Sequence, residues 1–423
     1  MKIVGEGGDS IMATQTELAA WVREAVATVR VTDMHTHLFP PSFSALQVSG
    51  ADHVLTYHYL IAEAMRVGQL SSTDFWDLSA PSQADWIWEQ LFEKTTPLSE
   101  AALGVVQIAQ AFGVNLRTEK LAGLRAKLEP TATDTYANHV LDLAGVDSVV
   151  MTNDPFDEIE RRYWEQGTPR NRRFHAALRL DVLLNDWPRA QVYLSNTGYH
   201  VGPELGEVDM AEVRRFLKDW VAKIKPVYFA FSAPDTFAFP EDTVRGRLLS
   251  DAILPVCREQ RLPLALMIGV RRQVNPHLRS AGDSTAKASM LPIEALARRY
   301  PENKFLVTFL AREDQHELAV TARKFGNVMP FGCWWFLNTE TLVSEISNMR
   351  LELIGPTFVI QHSDARVLEH VIYKWRRARK VATAVLTNKY QQLQEAGWDL
   401  TREDVDRDVN QLFSQNFWDF VQR

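Results

Sequence analysis

Short apolar runs recur along the chain, and each is followed by a stretch in which apolar residues repeat at helical spacing. Eight runs rich in β-branched or aromatic residues stand out: VTDMHTH (31–37), DSVVMTN (147–153), RFHAALRL (173–180), PVYFAFS (226–232), PLALMIG (263–269), KFLVTFL (304–310), NVMPFGCWW (327–335) and TFVIQHS (357–363). Most are apolar at nearly every position, the pattern of strands buried on both faces of a parallel sheet. Between them lie helical patterns such as DMAEVRRFLKDWVAK (209–223), PIEALARR (292–299) and QHELAVTARKF (315–325). Eight strand–helix units close naturally, so the expected fold is α/β, a (β/α)8 TIM-type barrel. An open doubly wound sheet is the alternative. No G-x-G-x-x-G follows the first run, which counts against it.

One interval breaks the rhythm. Roughly 100 residues, about 45–145, separate the first two strands, and they carry helical patterns: HVLTYHYLIAEAMRV, ADWIWEQLFEKT, SEAALGVVQIAQAFG and YANHVLDLAG. This reads as a long helical insertion after the first strand. The loop it occupies lies on the catalytic face of a barrel, so the insertion is expected to cap the site. Residues 1–20 read as a loose leader, Gly-rich and without a period at the start, and residues 21–423 as a single barrel domain. The basic stretch KWRRARK (374–380) reads as a solvated helix face.

Composition excludes several classes. Hydrophobic residues make up 46% and charged residues 23%, ordinary for a globular chain. Lys+Arg 46 against Asp+Glu 53 gives −7, without the basic footprint of a nucleic-acid binder, although a local Arg can still hold an anionic ligand. Two cysteines, Cys257 and Cys333, exclude a disulfide framework and fit a reducing, cytoplasmic setting. The start, MKIVGEGGDSIM, lacks the apolar core of a signal peptide, and no run of about 18 apolar residues predicts a membrane span. No membrane partner is expected; a homo-oligomer is compatible with the sequence.

The chemistry concentrates at two strand ends. In Asp33-Met34-His35-Thr36-His37, the two histidines are two residues apart, so on a strand both imidazoles point the same way. At the C-terminal end of a barrel strand such a pair can grip a divalent metal, or can be two hydrogen-bonded histidines without one. In Gln361-His362-Ser363-Asp364-Ala365-Arg366, Asp364 ends the last strand. Ser363 or Asp364 could simply cap the following helix. In a closed barrel, however, the first and eighth strands are neighbours, which sets Asp364 beside His35 and His37 as a third ligand.

His-x-His on the first strand with Asp on the eighth resembles the amidohydrolase superfamily. The runs VTDMHTHLF, LTYHYL, VVMTNDPFD, FHAALRLD, MIGVRR, FGCWWF and QHSDARVLEHVIYKW are similar to those of the uronate isomerase (glucuronate isomerase) family, from about residue 20 to the C-terminus. The resemblance implies interconversion of D-glucuronate with D-fructuronate and of D-galacturonate with D-tagaturonate, by enediol proton transfer. Other superfamily activities, hydrolysis or decarboxylation of a carboxylated substrate, remain alternatives, as does a non-catalytic sugar-acid binder.

The chain departs from hydrolytic relatives, which add a Lys on strand four and His on strands five and six. None of the 11 histidines falls there, and Met267 stands where some uronate isomerases keep a His. One divalent metal is therefore the expectation, held by His35, His37 and Asp364. Zinc is the default for such ligands; manganese or iron would also fit.

The resemblance places the pair His58-Tyr59 at the site, with His58 assisting ring opening and Tyr59 and Asp364 as candidates for moving protons. Tyr57 reads as core. Arg179 ends the third strand and is expected to hold the substrate carboxylate, with Asp181 as its structural alternative partner. Arg271 and Arg272 follow the fifth strand, and one of them is expected to assist. Arg366 is either a substrate contact or a helix-start ion pair. Of Trp334 and Trp335, one, taken as Trp335, is expected to wall the sugar pocket. His362 reads as support for the ligands, Gln361 as packing, and His316 as an ordinary helix residue.

Overall fold

The computed structural model describes residues 14–203 and 205–422. A helix, Gln15–Thr28, opens the chain, capped by Thr14 and Glu17 in a reciprocal capping box, and buries Leu18, Val22, Ala25 and Val26. Residues 15–20 are thus helix, not loose leader: Leu18 and Val22, four apart, form an apolar face that docks on the core. The rest of the expected leader, residues 1–13, lies outside the described residues.

Seven parallel strands follow: β1 (Val31–Thr36), β2 (Val146–Asn153), β3 (Phe174–Arg179), β4 (Phe229–Pro234), β5 (Leu264–Arg271), β6 (Phe305–Phe309) and β7 (Val328–Pro330). Each pairs with the next in chain order. A two-residue strand, Ser284–Thr285, adds antiparallel to the end of β5. The fold is an α/β, TIM-type barrel. Its interior is filled by residues from every stave, among them Met34, Val150, Ala177, Ala230, Ala265, Leu306, Phe331 and Val359.

The eighth run, 357–363, corrects the expectation of a regular strand. It pairs with β7 only through the parallel bridge Phe331↔Val359. It closes on β1 through two backbone bonds, Asp364 N–H to the His35 carbonyl at 3.1 Å and His37 N–H to the Ala365 carbonyl at 2.8 Å. Polar side chains take several of the other backbone groups: the Ser363 N–H donates to Asp33 Oδ1, and Gln361 Oε1 accepts from Cys333 N–H and His362 N–H. Side-chain bonds thus replace a sheet ladder at the seam of the barrel.

Between β1 and β2 run seven α-helices, from Ala51–Leu55 to Asp134–Leu143. The first six share a hydrophobic cluster of their own, which includes Val367 and Tyr373 from the segment that follows the barrel seam, while Asp134–Leu143 packs on the barrel core. The insertion therefore docks directly over the residues next to Asp364.

The basic stretch 374–380 is a second correction. It belongs to the helix His370–Glu395, in which Lys374, Trp375, Arg377 and Ala378 are buried and only Arg376 and Lys380 are exposed. The helix is wedged between Gln15–Thr28, Glu100–Ala111 and Glu340–Ile354, and two of its arginines find partners inside. Arg377 bonds Glu100 and the Asn338 carbonyl, and Arg379 bonds the carbonyls of Val29 and Gly145. Among the described residues no helix is long and apolar enough to cross a membrane.

Candidate active site

All six residues of β1 are buried, and its register against β2 shifts between Asp33 and Thr36, where the histidine pair begins. The rings of His35 and His37 meet edge to face, 5.5 Å apart. Their second nitrogens are spoken for. The Tyr228 hydroxyl donates to the Met34 carbonyl at 2.7 Å, so toward His35 Nδ1, 3.2 Å away, it can only accept. The Thr152 hydroxyl likewise donates to the Thr36 carbonyl at 3.0 Å and accepts from His37 Nδ1 at 2.9 Å. Each imidazole carries its proton on Nδ1 and presents a bare Nε2. Burial pushes both histidines below their ordinary range, His37 to about 4, so neither is protonated at neutral pH.

Asp364 completes the set. Its backbone is left-handed, φ 51°, a conformation that costs a non-glycine residue about 1–3 kcal/mol and turns the carboxylate toward the histidines. Asp364 Oδ1 lies 3.3 Å from His37 Nε2 and 3.7 Å from His35 Nε2. Burial favours the neutral acid, but the polar surroundings, the Arg366 guanidinium among them, outweigh it and hold the carboxyl well below the usual carboxylate range. The three facing atoms lie within 4.8 Å of one another. They are three lone pairs without a proton among them, an arrangement that repels itself unless a cation sits between. Its donor chemistry fits one divalent metal. Asp364 is not a helix cap, because the next helix begins only at His370, with Glu369 at its N-cap. Met267, buried in the barrel interior, offers no fourth ligand.

The insertion supplies the roof. His58 and Tyr59 form the first turn of the helix His58–Val67. The His58 ring stands 5.5 Å from Trp335 and 4.6 Å from Tyr59. His58 Nε2 and the Tyr59 hydroxyl are buried without a hydrogen-bond partner. Burial first, then Arg366, holds His58 well below its ordinary range. Trp335, itself left-handed at φ 47°, and the His58–Tyr59 pair share a cavity of about 230 Å³ with Glu100 and Asn338. Tyr57 is buried beside them, its ring 4.1 Å from that of His58 and 4.8 Å from that of Tyr59.

The arginines divide. Arg179, at the end of β3, is paired in two places with Asp181, at 2.8 and 3.3 Å, yet its charge still reaches His35 and His37. Arg366 is exposed and close enough to act on both His37 and His58. Arg271, the last residue of β5, and Arg272 are exposed, and Arg272 is tied to Asp283 at 2.6 Å. They are not brought to the histidines as Arg179 and Arg366 are. At this end of β5 the backbone pairs antiparallel with Ser284–Thr285, Arg271 opposite Ser284. His316 is an exposed helix residue.

His362 is buried, its ring 5.6 Å from His35, and burial holds it near 4. It supports His35 by packing. Room for it comes from Gly332, whose φ is +54° and where an added Cβ would lie 2.0 Å from His362 Nδ1. Gly332→Ala is accordingly expected to lower stability by about 2–4 kcal/mol and to displace His362, seen as a lower denaturant midpoint. An unchanged midpoint would show that the seam is looser than described.

Several residues escaped sequence reasoning. Tyr228, just before β4, and Thr152, near the end of β2, fix the ring orientations, and no sequence pattern singled them out. Asp33, which ties β1 to Ser363 and to Trp375 Nε1, lies inside the motif itself.

Comparison with solved structures decides the family. A uronate isomerase from Bacillus halodurans is 48% identical over 97% of this chain and 98% of its own, with a TM-score of 0.95. The chain belongs to the uronate isomerase family. A glucuronate isomerase from Caulobacter crescentus, 15% identical over 99% of this chain and 97% of its own, has the same fold, TM-score 0.75. So does a uronate isomerase from Thermotoga maritima, 14% identical over 99% of this chain and all 100% of its own, TM-score 0.75. No family model matches the chain, and no sequence among the curated proteins does.

Proposed function

We propose that the chain is a uronate isomerase that interconverts D-glucuronate with D-fructuronate and D-galacturonate with D-tagaturonate. The observation that carries this reading is the full-length, 48% identical likeness to a uronate isomerase. His35, His37 and Asp364 are the residues that would hold one metal, with zinc as the proposed ion. When bound, it supplies positive charge beside the oxygens of the open-chain sugar.

The chain's own residues have separate tasks. Arg179 and Arg366 hold the C6 carboxylate and so fix the reacting end. His58, neutral and unpartnered, assists opening of the sugar ring. A base takes the proton from C2 while the C1 oxygen gains one, giving an enediol. The C2 oxygen then loses its proton and C1 gains one, so nothing is consumed. Asp364 and Tyr59 are the groups that exchange these protons. Trp335 and the insertion helices exclude water from the pocket.

The test is incubation with D-glucuronate and D-galacturonate in heavy water, read for ketose and for deuterium at C1. Deuterium at C1 would establish proton transfer, unlabelled ketose would leave a hydride shift and a base shielded from water to be told apart by Tyr59→Phe, and absence of ketose would overturn the whole reading.

Metal uptake makes a further expectation. His35 and His37 are already unprotonated at neutral pH, and Asp364 is already ionised, so binding releases almost no proton from these ligands. Calorimetric zinc binding at pH 6 should give an enthalpy independent of buffer. Ordinary histidines would release more than one proton there. A chelator should remove the ion without unfolding the barrel, whose core does not depend on it.

A further inference from the structure

Lys374 lies in the helix His370–Glu395 and is 1% exposed. Its ammonium has no hydrogen-bond partner. The nearby carboxylate of Glu100 is engaged with Arg377 instead. Burying an ammonium without a partner costs several kcal/mol, and an apolar side chain of the same length would fill the space better. What the ammonium does have is two aromatic faces: it stands 5.4 Å from the centroid of Tyr59 and 5.5 Å from that of Tyr373. Tyr59 also stacks on Phe336, 6.2 Å away at 26°. The hydroxyls of Tyr59 and Tyr373, His58 Nε2 and His370 Nδ1 are buried and unpartnered around it.

We propose that Lys374 is a positioning residue for Tyr59. Its ammonium against the ring face fixes where the phenol hydroxyl stands in the sugar pocket. A desolvated cation over an aromatic ring is among the stronger orienting contacts available to a tyrosine whose hydroxyl has no protein partner. The inference rests on the reading that Tyr59 exchanges a proton with the substrate. Burial lowers the ammonium's pKa below the ordinary lysine range, and Arg377 adds to this, while Glu100, Asp364 and Asp33 favour the charged form.

The experiment is a double-mutant cycle with D-glucuronate on the metal-loaded enzyme. Lys374→Met should lower kcat about 100-fold and leave KM within about twofold, because the group that grips the carboxylate is untouched. Tyr59→Phe should also be slow, and the double variant no slower than Tyr59→Phe alone. Lys374→Gln is measured in parallel, so that a folding failure of one variant leaves the other. Full kcat in the folded lysine variant, with Tyr59→Phe slow, overturns the role of Lys374 alone. A double variant slower by the product of the two single effects overturns its action through Tyr59. Full activity of Tyr59→Phe overturns the role of Tyr59 first, and the lysine's with it.

Discussion

Asp364→Asn is expected to leave a folded barrel whose kcat has fallen by at least about 10³-fold, about 4 kcal/mol of transition-state stabilisation, and which no longer retains metal. The substitution is mild everywhere except at the charge. Asn tolerates the left-handed backbone at φ 51° as well as Asp does, so the turn is kept. The Asp364 N–H still bonds the His35 carbonyl. No helix cap is lost, because the helix begins at His370. What disappears is the negative charge between two neutral imidazoles, the one feature that makes three converging lone pairs attractive to a cation. Kinetics, metal content by atomic emission and a denaturant titration on the same sample separate these effects. Full activity with full metal content would place the site elsewhere.

The reason Asp364 could be found from sequence, and the regular eighth strand could not, is the same seam. A His-x-His on the first strand and an Asp on the last are brought together by closure alone, which depends on topology and not on detail. Whether 357–363 forms a ladder depends on Asp33 and Gln361 capturing backbone N–H groups, and no hydropathy pattern reports that. The insertion was legible because helical periodicity persists across it. Lys374 was not, because KWRRARK has the composition of a solvated face. Its burial follows from tertiary packing on three sides, a context that periodicity does not carry. Arg271 and Arg272 show the same limit at a strand end: the sequence puts them after the fifth strand, but Arg271 is still in it, paired with a two-residue antiparallel strand that no hydropathy pattern announces. The helix Gln15–Thr28 had signals at hand, Thr14 with Glu17 and the spacing of Leu18 and Val22. They lay next to a Gly-rich start that drew the boundary too far.

Arg179→Met is expected to raise KM for uronates about 30- to 1,000-fold, the loss of about 2–4 kcal/mol from a charge-assisted pair in a closed site. The structure gives this prediction a competitor, because Arg179 is already paired with Asp181 at 2.8 and 3.3 Å. If that pair were the arginine's whole purpose, the damage in Arg179→Met would come from a carboxylate left buried without its partner. Removing both charges would then repair it, since deleting a pair costs far less than deleting half of one. The double variant Arg179→Met/Asp181→Asn decides between the two. A substrate-gripping arginine leaves KM high in the double variant, because the uronate carboxylate still finds no cation. A purely structural arginine returns KM to near its starting value. The geometry favours the first outcome. Arg179 ends β3 close enough for its charge to bear on both His35 and His37, and its side chain stays 28% exposed, against 13% for Asp181. Asp181 thus holds the guanidinium by one edge and leaves the rest of the fork of N–H groups for an incoming carboxylate.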